Sequence, residues 1–138
     1  MRDDDFELAD SIFIRLCEKQ ELGKESLSKE EQIVITVWHA SGIIGNGGLL
    51  YFFEQELDSE KTAGAYEEIG SSKCAELLRL FVSVFPENLS REERVGFIQS
   101  KTEIFDNLSS AFWEADEKTV KRIADYIRAH RPKISVLT

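Results

Sequence analysis

Few side chains in this chain have types and spacing that could do chemistry. There are two histidines, two cysteines, one glycine-rich stretch and a large number of carboxylates. A zinc enzyme needs ligands at short helical or hairpin spacing, such as HExxH or a tight Cys/His cluster. His39 and His130 stand far apart with no such neighbours, so no metal or cofactor is expected. Cys17 and Cys74 belong to no CxxC pair, and each sits among apolar residues, which reads as buried free thiols. A cysteine nucleophile would need a base that spacing does not supply. No GxSxG elbow is present. The stretch Gly42-Ile43-Ile44-Gly45-Asn46-Gly47-Gly48 could cradle a phosphate only if Lys and Ser/Thr followed, and Leu49-Leu50-Tyr51 follow instead. Paired carboxylates such as Glu67-Glu68 and Glu92-Glu93 carry no acid–base meaning in so acidic a chain. No catalytic residue emerges, and the chain reads as a non-enzyme.

What remains is charge. The net charge is −9, and its distribution is lopsided: residues 1–68 hold 16 acids and 6 bases, residues 69–138 hold 10 and 11. Direct nucleic-acid binding needs the opposite sign, because affinity comes from neutralising phosphates. An acidic half points to a basic protein partner. The sharpest local feature is Glu54, Glu56, Asp58, Glu60, Glu67 and Glu68, offset within that stretch only by Lys61. These six are the candidate partner-binding residues, against the plain reading of a solvated helix face.

The elements that must position them are helical. Phe6, Ala9, Ile12, Phe13, Leu16 and Cys17 form a stripe at spacings of three and four, behind Asp3-Asp4-Asp5 and ahead of Gly23. Ser28 and Glu31 form a capping box for a helix with Ile33, Val34, Val37, Trp38 and Ser41 on one side. The glycines at Asn46-Gly47-Gly48 predict a structural turn that stops this helix and starts another through Leu49, Phe52, Phe53 and Leu57. Ser59 is the expected cap of a short helix ended by Gly70, and Ser71 or Ser72 that of a helix ended by Pro86. Ser90 and Glu93 form a second capping box. A break is expected near Ser109-Ser110, and Asp116 is the expected cap of a last helix closed by His130, Arg131 and Pro132. The prediction is one compact all-α domain over 1–138, of about seven helices, with a glycine-rich turn between helices. The acidic N-terminus lacks the pattern of a secretory signal, and the apolar run from Ser41 to Phe53 is shorter than the ~18 residues of a membrane span. A cytoplasmic protein without membrane contact follows.

Asn46-Gly47-Gly48-Leu49-Leu50-Tyr51-Phe52-Phe53 resembles the NGGF-x-Q-Y/F-F signature of the bacterial DNA-mimic protein family, largely known as a domain of unknown function. Ala65–Gly70 and Ala75-Glu76-Leu77-Leu78 through Phe85 resemble its next segments, and Arg94 and Phe105 to Leu108 a later one. The likeness spans about residues 30–130. Leu49 and Leu50 stand where the family has Phe and Gln, and Gln55 where it usually has Asn. The resemblance implies an all-helical fold, often a homodimer, and an acidic surface that imitates DNA on the DNA-binding face of a transcription factor. Asn46, Gly47 and Gly48 carry over as turn-formers only.

Two alternatives stand beside this. One is an immunity or antitoxin-type protein that neutralises a basic nuclease toxin. The other is a small-molecule enzyme with a pocket around Asn46 and the aromatic residues Trp38, Tyr51 and Phe52.

Overall fold

A computed structural model describes residues 4–23, 27–55, 57–86 and 89–135. These form α1 (Asp4–Leu22), α2 (Lys29–Glu54), α3 (Ser59–Glu68), α4 (Ser72–Val84), α5 (Arg91–Ser100), α6 (Thr102–Ala115) and α7 (Thr119–Ala129). Single 3-10 turns occupy Asp116–Lys118 and Arg131–Lys133, and no strand occurs among the described residues. Asp3 and Glu56 lie outside them.

α2 is the axis of the domain. α1, α3 and α6 pack along it, α4 packs on α3 and α6, α7 closes the far side of α1, and α5 rests on α6. Its buried side chains Ile33, Val34, Val37, Ala40, Ile44, Leu49 and Phe52 meet Ala9, Ile12 and Leu16 of α1, Tyr66 of α3, Leu78 and Phe81 of α4, Phe105 and Phe112 of α6 and Ile123 and Ile127 of α7 in one core. α2 is also long and apolar enough to cross a membrane by length and composition, which the shorter run from Ser41 to Phe53 did not indicate. Here those apolar side chains serve the core.

Local signals placed several helix ends correctly. Ser28 caps α2 through the Glu31 amide, and the Glu31 carboxylate accepts from the Ser28 amide. Ser90 and Glu93 repeat the arrangement on α5. Gly23 and Gly70 follow α1 and α3 at φ 61° and 89°, the left-handed backbone that glycine tolerates.

Elsewhere the boundaries moved. α3 is capped by Asp58, whose carboxylate accepts from the Lys61 amide, rather than by Ser59. Ser71 does stand at the N-cap position of α4, as expected, but makes no capping hydrogen bond; its hydroxyl accepts from Arg122 of α7. The helix from Ser90 breaks at Lys101, and α6 runs unbroken through Ser109-Ser110. Asp116 lies in a 3-10 turn and α7 begins at Thr119, so Asp116 is not its cap.

The Asn46-Gly47-Gly48 segment also differs from the expectation. No loop separates two helices there; α2 carries a kink whose one non-helical residue is Gly48, at φ 80° and ψ −177°. That backbone region is almost confined to glycine. The Leu49 amide, which an unbroken helix would aim at the Gly45 carbonyl, donates to Ser109 Oγ at 3.1 Å. On the preceding turn, the Trp113 indole donates to the Ile44 carbonyl at 2.8 Å. α6 therefore clasps both sides of the kink. Gly47 keeps a negative φ but has its own reason to be glycine: a Cβ there would lie 2.5 Å from Tyr51 Cβ.

Two polar clusters tie the helices together. Glu31, only 1% exposed, pairs with Lys19 of α1 at 2.9 Å and accepts from the amide and hydroxyl of Ser135. Burial alone would raise its carboxyl pKa, but the Ser28 amide, Lys19 and Ser135 outweigh burial and leave it lowered. In the second cluster, Ser41 donates to Asp116 Oδ1 at 3.2 Å, so the fully buried Tyr66 hydroxyl, 2.6 Å away, donates to Ser41.

Candidate protein-interaction surface

The six acids singled out in the sequence do not form one free array. Glu60 and Glu67 are one helix face of α3, and both close on a single guanidinium, Arg79 of α4. Arg79 donates to Glu60 through Nε at 3.2 Å and Nη2 at 2.8 Å, and to Glu67 through Nη1. The Arg79 hydrogen bond holds the Glu60 carboxyl below its ordinary value. Glu68 lies 3.6 Å from Lys29 at the start of α2. Asp58 is spent on the α3 cap. Glu54, at the end of α2, is exposed. Glu56 falls outside the described residues.

Sequence reading missed Arg79 because it stands on the next helix, and nothing local says that α4 turns it towards α3. The stretch is therefore less negative than its composition. Each exposed ion pair adds little stability, but it does cancel charge.

α1 carries a barer acidic edge. Asp4, Glu7, Glu18 and Glu21 are exposed, and none has an ion pair among the described residues. At 1.5 Å per residue, Asp4 and Glu21 lie about 25 Å apart along the helix. Four charges over that length are sparser than one DNA strand, with one phosphate per ~3.4 Å of axis. An acidic surface of phosphate-like density thus needs more than one element. The exposed Glu54 of α2 and Glu103, Asp106 and Glu114 of α6 are further acids without an ion pair among the described residues. At the other end of α2, Glu30 and Glu68 both act on Tyr126, which burial first and then these charges push up to about 12.

Of the two histidines and two cysteines, Cys74 is the one withdrawn from solvent. Burial, then the neighbouring Asp116 charge, pushes the Cys74 thiol up to about 12, far from a reactive thiolate. Cys17 is half-buried, and both cysteines are free. Burial raises the Asp116 carboxyl against the opposing hydrogen bond from Ser41. His130 stacks on Tyr126 with ring centroids 4.1 Å apart, and His39 is exposed. No group of three or more metal-ligating side chains occurs among the described residues.

Two clefts are relevant. A shallow one of about 300 Å³ is lined by Phe13, Trp38, His39, Gly42, Ile43, Asn46 and Tyr51. It is the place named for a small-molecule site, but Phe52 is buried in the core instead of lining it. The second, of about 540 Å³, lies between the ends of α2 and α4 and the start of α5. Phe53, Val82, Ser83, Phe85, Pro86, Leu89 and Arg94 line it.

The sequence model of the DMP19-like protein family matches residues 25–130, and the chain belongs to this family of DNA mimics. It is not a known enzyme family. No curated protein and no solved structure matches the chain.

Proposed function

We propose that this protein is a non-enzymatic, cytoplasmic interaction domain that occupies the DNA-binding face of a basic partner, such as a transcription factor. The observation that carries this reading is membership of a DNA-mimic family in a chain of net charge −9. The proposed contact surface combines the outer edge of α1 (Asp4, Glu7, Glu18, Glu21) with Glu54, Glu60, Glu67 and Glu68. Within that surface Arg79 is a built-in competitor, since a partner's arginine must displace it to reach Glu60 and Glu67. The free acids of α1 and Glu54 pay no such exchange and steer the first encounter. Steering of this kind fades once the screening length falls below the charge separation, about 8 Å at physiological salt.

Affinity capture from a native bacterial lysate, followed by elution with salt and with duplex DNA, tests the reading. A DNA-binding protein released by both is the expected result. A partner held equally well at 1 M salt, or indifferent to duplex DNA, refutes it. A basic nuclease as the sole partner would transfer the same electrostatics to an immunity role.

A further inference from the structure

We infer that the cleft between α4 and α5 is a binding site for a small amphiphilic monocarboxylate, held by Arg94. The inference is independent of the acidic surface. The floor of the cleft is aromatic: Phe53 and Phe85 stack at 4.5 Å, and Phe85 stacks in turn on Phe105 at 5.2 Å. Val82, Pro86 and Leu89 make apolar walls. Into this surface the chain places one cation. The Arg94 guanidinium lies over the Phe53 ring at 5.3 Å from its centroid.

Arg94 is unusual in having so little to hold it. Its Nε is buried and has no hydrogen-bond partner, and no carboxylate among the described residues pairs with it. Arg79, by contrast, engages two glutamates, and Arg128 two aspartates. A buried donor left unsatisfied is costly, and a guanidinium prefers a planar anionic acceptor. The Ser83 hydroxyl on the rim already donates to the Leu80 carbonyl. The cleft therefore offers one positive charge that no carboxylate among the described residues neutralises, and an otherwise apolar bed. Its volume of about 540 Å³ lies in the range of small-molecule sites. The complementary ligand has one carboxylate head and an alkyl or aryl body.

Octanoate is the probe and octanol its neutral counterpart, both titrated into isotopically labelled full-length protein. Octanoate should saturably shift the Arg94 Nε–H resonance and the amides of Val82, Phe85 and Leu89, and bind about tenfold more tightly than octanol. Arg94→Gln should abolish that preference while leaving octanol binding unchanged. Val82→Trp, at an exposed position of the wall, should block both ligands without unfolding the domain. Binding should persist at 0.5 M salt, where contacts made only by surface charge are lost. Equal affinity for the two probes overturns the proposal, as do shifts scattered away from the cleft or an octanoate preference that survives in Arg94→Gln.

Discussion

Gly48→Ala is the most direct test of how the signature segment is built. At φ 80° and ψ −177°, Gly48 occupies backbone that L-residues almost never adopt, and holding one there costs of order 1–3 kcal/mol. The new Cβ would also stand 3.1 Å from Ser109 Oγ, the acceptor of the Leu49 amide, so relief by moving Ser109 would loosen that bond. Together these give an expected loss of about 2–3 kcal/mol, or roughly 8–10 °C in Tm for a domain of this size. Gly45 supplies the internal control. It is helical and exposed, and a Cβ there meets nothing within 4 Å. Gly45→Ala should therefore raise stability by about 0.5–1 kcal/mol through helix propensity. Urea unfolding followed by far-UV circular dichroism reads both variants. A Gly48→Ala variant within about 0.5 kcal/mol of the parent, with Gly45→Ala behaving as expected, would refute the argument. It would mean that α2 can straighten through this point and that the clasp of Ser109 and Trp113 is incidental.

Other expectations follow from the same geometry. Glu31→Gln should lose about 2–4 kcal/mol at pH 7 by removing the buried carboxylate on which Lys19, Ser28 and Ser135 converge, as read by urea midpoints. Because the folded-state pKa of Glu31 is lowered, its contribution is present above the ordinary carboxylate value and lost as pH falls through the folded one, so parent and variant should converge in acid. Asp116 has the opposite sign: its folded pKa is raised, so stability falls as pH rises from the ordinary value through the folded one. Asp116→Asn, whose amide oxygen can still accept from Ser41, should match the parent near pH 3 and exceed it at pH 8 in thermal unfolding. Cys74 should resist a thiol reagent in native buffer and react within seconds once unfolded, as followed by mass spectrometry. Reversing Glu7, Glu18 and Glu21 to Lys should weaken capture of the basic partner at least tenfold at 0.1 M salt without shifting Tm by more than a few degrees. Undiminished binding would remove α1 from the surface.

What the sequence disclosed depended on how far a residue's partner lies from it along the chain. The capping boxes at Ser28 and Ser90 close within three residues, and the stripes of α1 and α4 within one or two turns, so spacing alone revealed them. The misplacements share one cause. Ser71 and Asp116 are types that cap helices, and Ser109-Ser110 reads as a break, but each is used by a distant helix: Ser71 by Arg122, Ser109 by Leu49 and Asp116 by Ser41. Lys101, where a helix does break, has no breaker chemistry to announce it. The acidic stretch reads as more negative than it is for the same reason, since its cancelling cation, Arg79, enters from α4.

This division also explains why the signature and the proposed function occupy different residues. The family match begins at residue 25, past the end of α1, and contains the kink that α6 clasps. α1 is nonetheless no appendage: Ala9, Ile12 and Leu16 are in the core, and Lys19 completes the Glu31 cluster. One face of α1 is thus fixed by packing, where loss of a side chain costs several kcal/mol. Its other face holds Asp4, Glu7, Glu18 and Glu21 in solvent, where substitutions cost about 0.5 kcal/mol or less. A scaffold of this kind can change its charge pattern, and with it its partner, without disturbing the fold. Glycines at the kink then report which scaffold a chain has, while the proposed contact surface lies in acids outside the core.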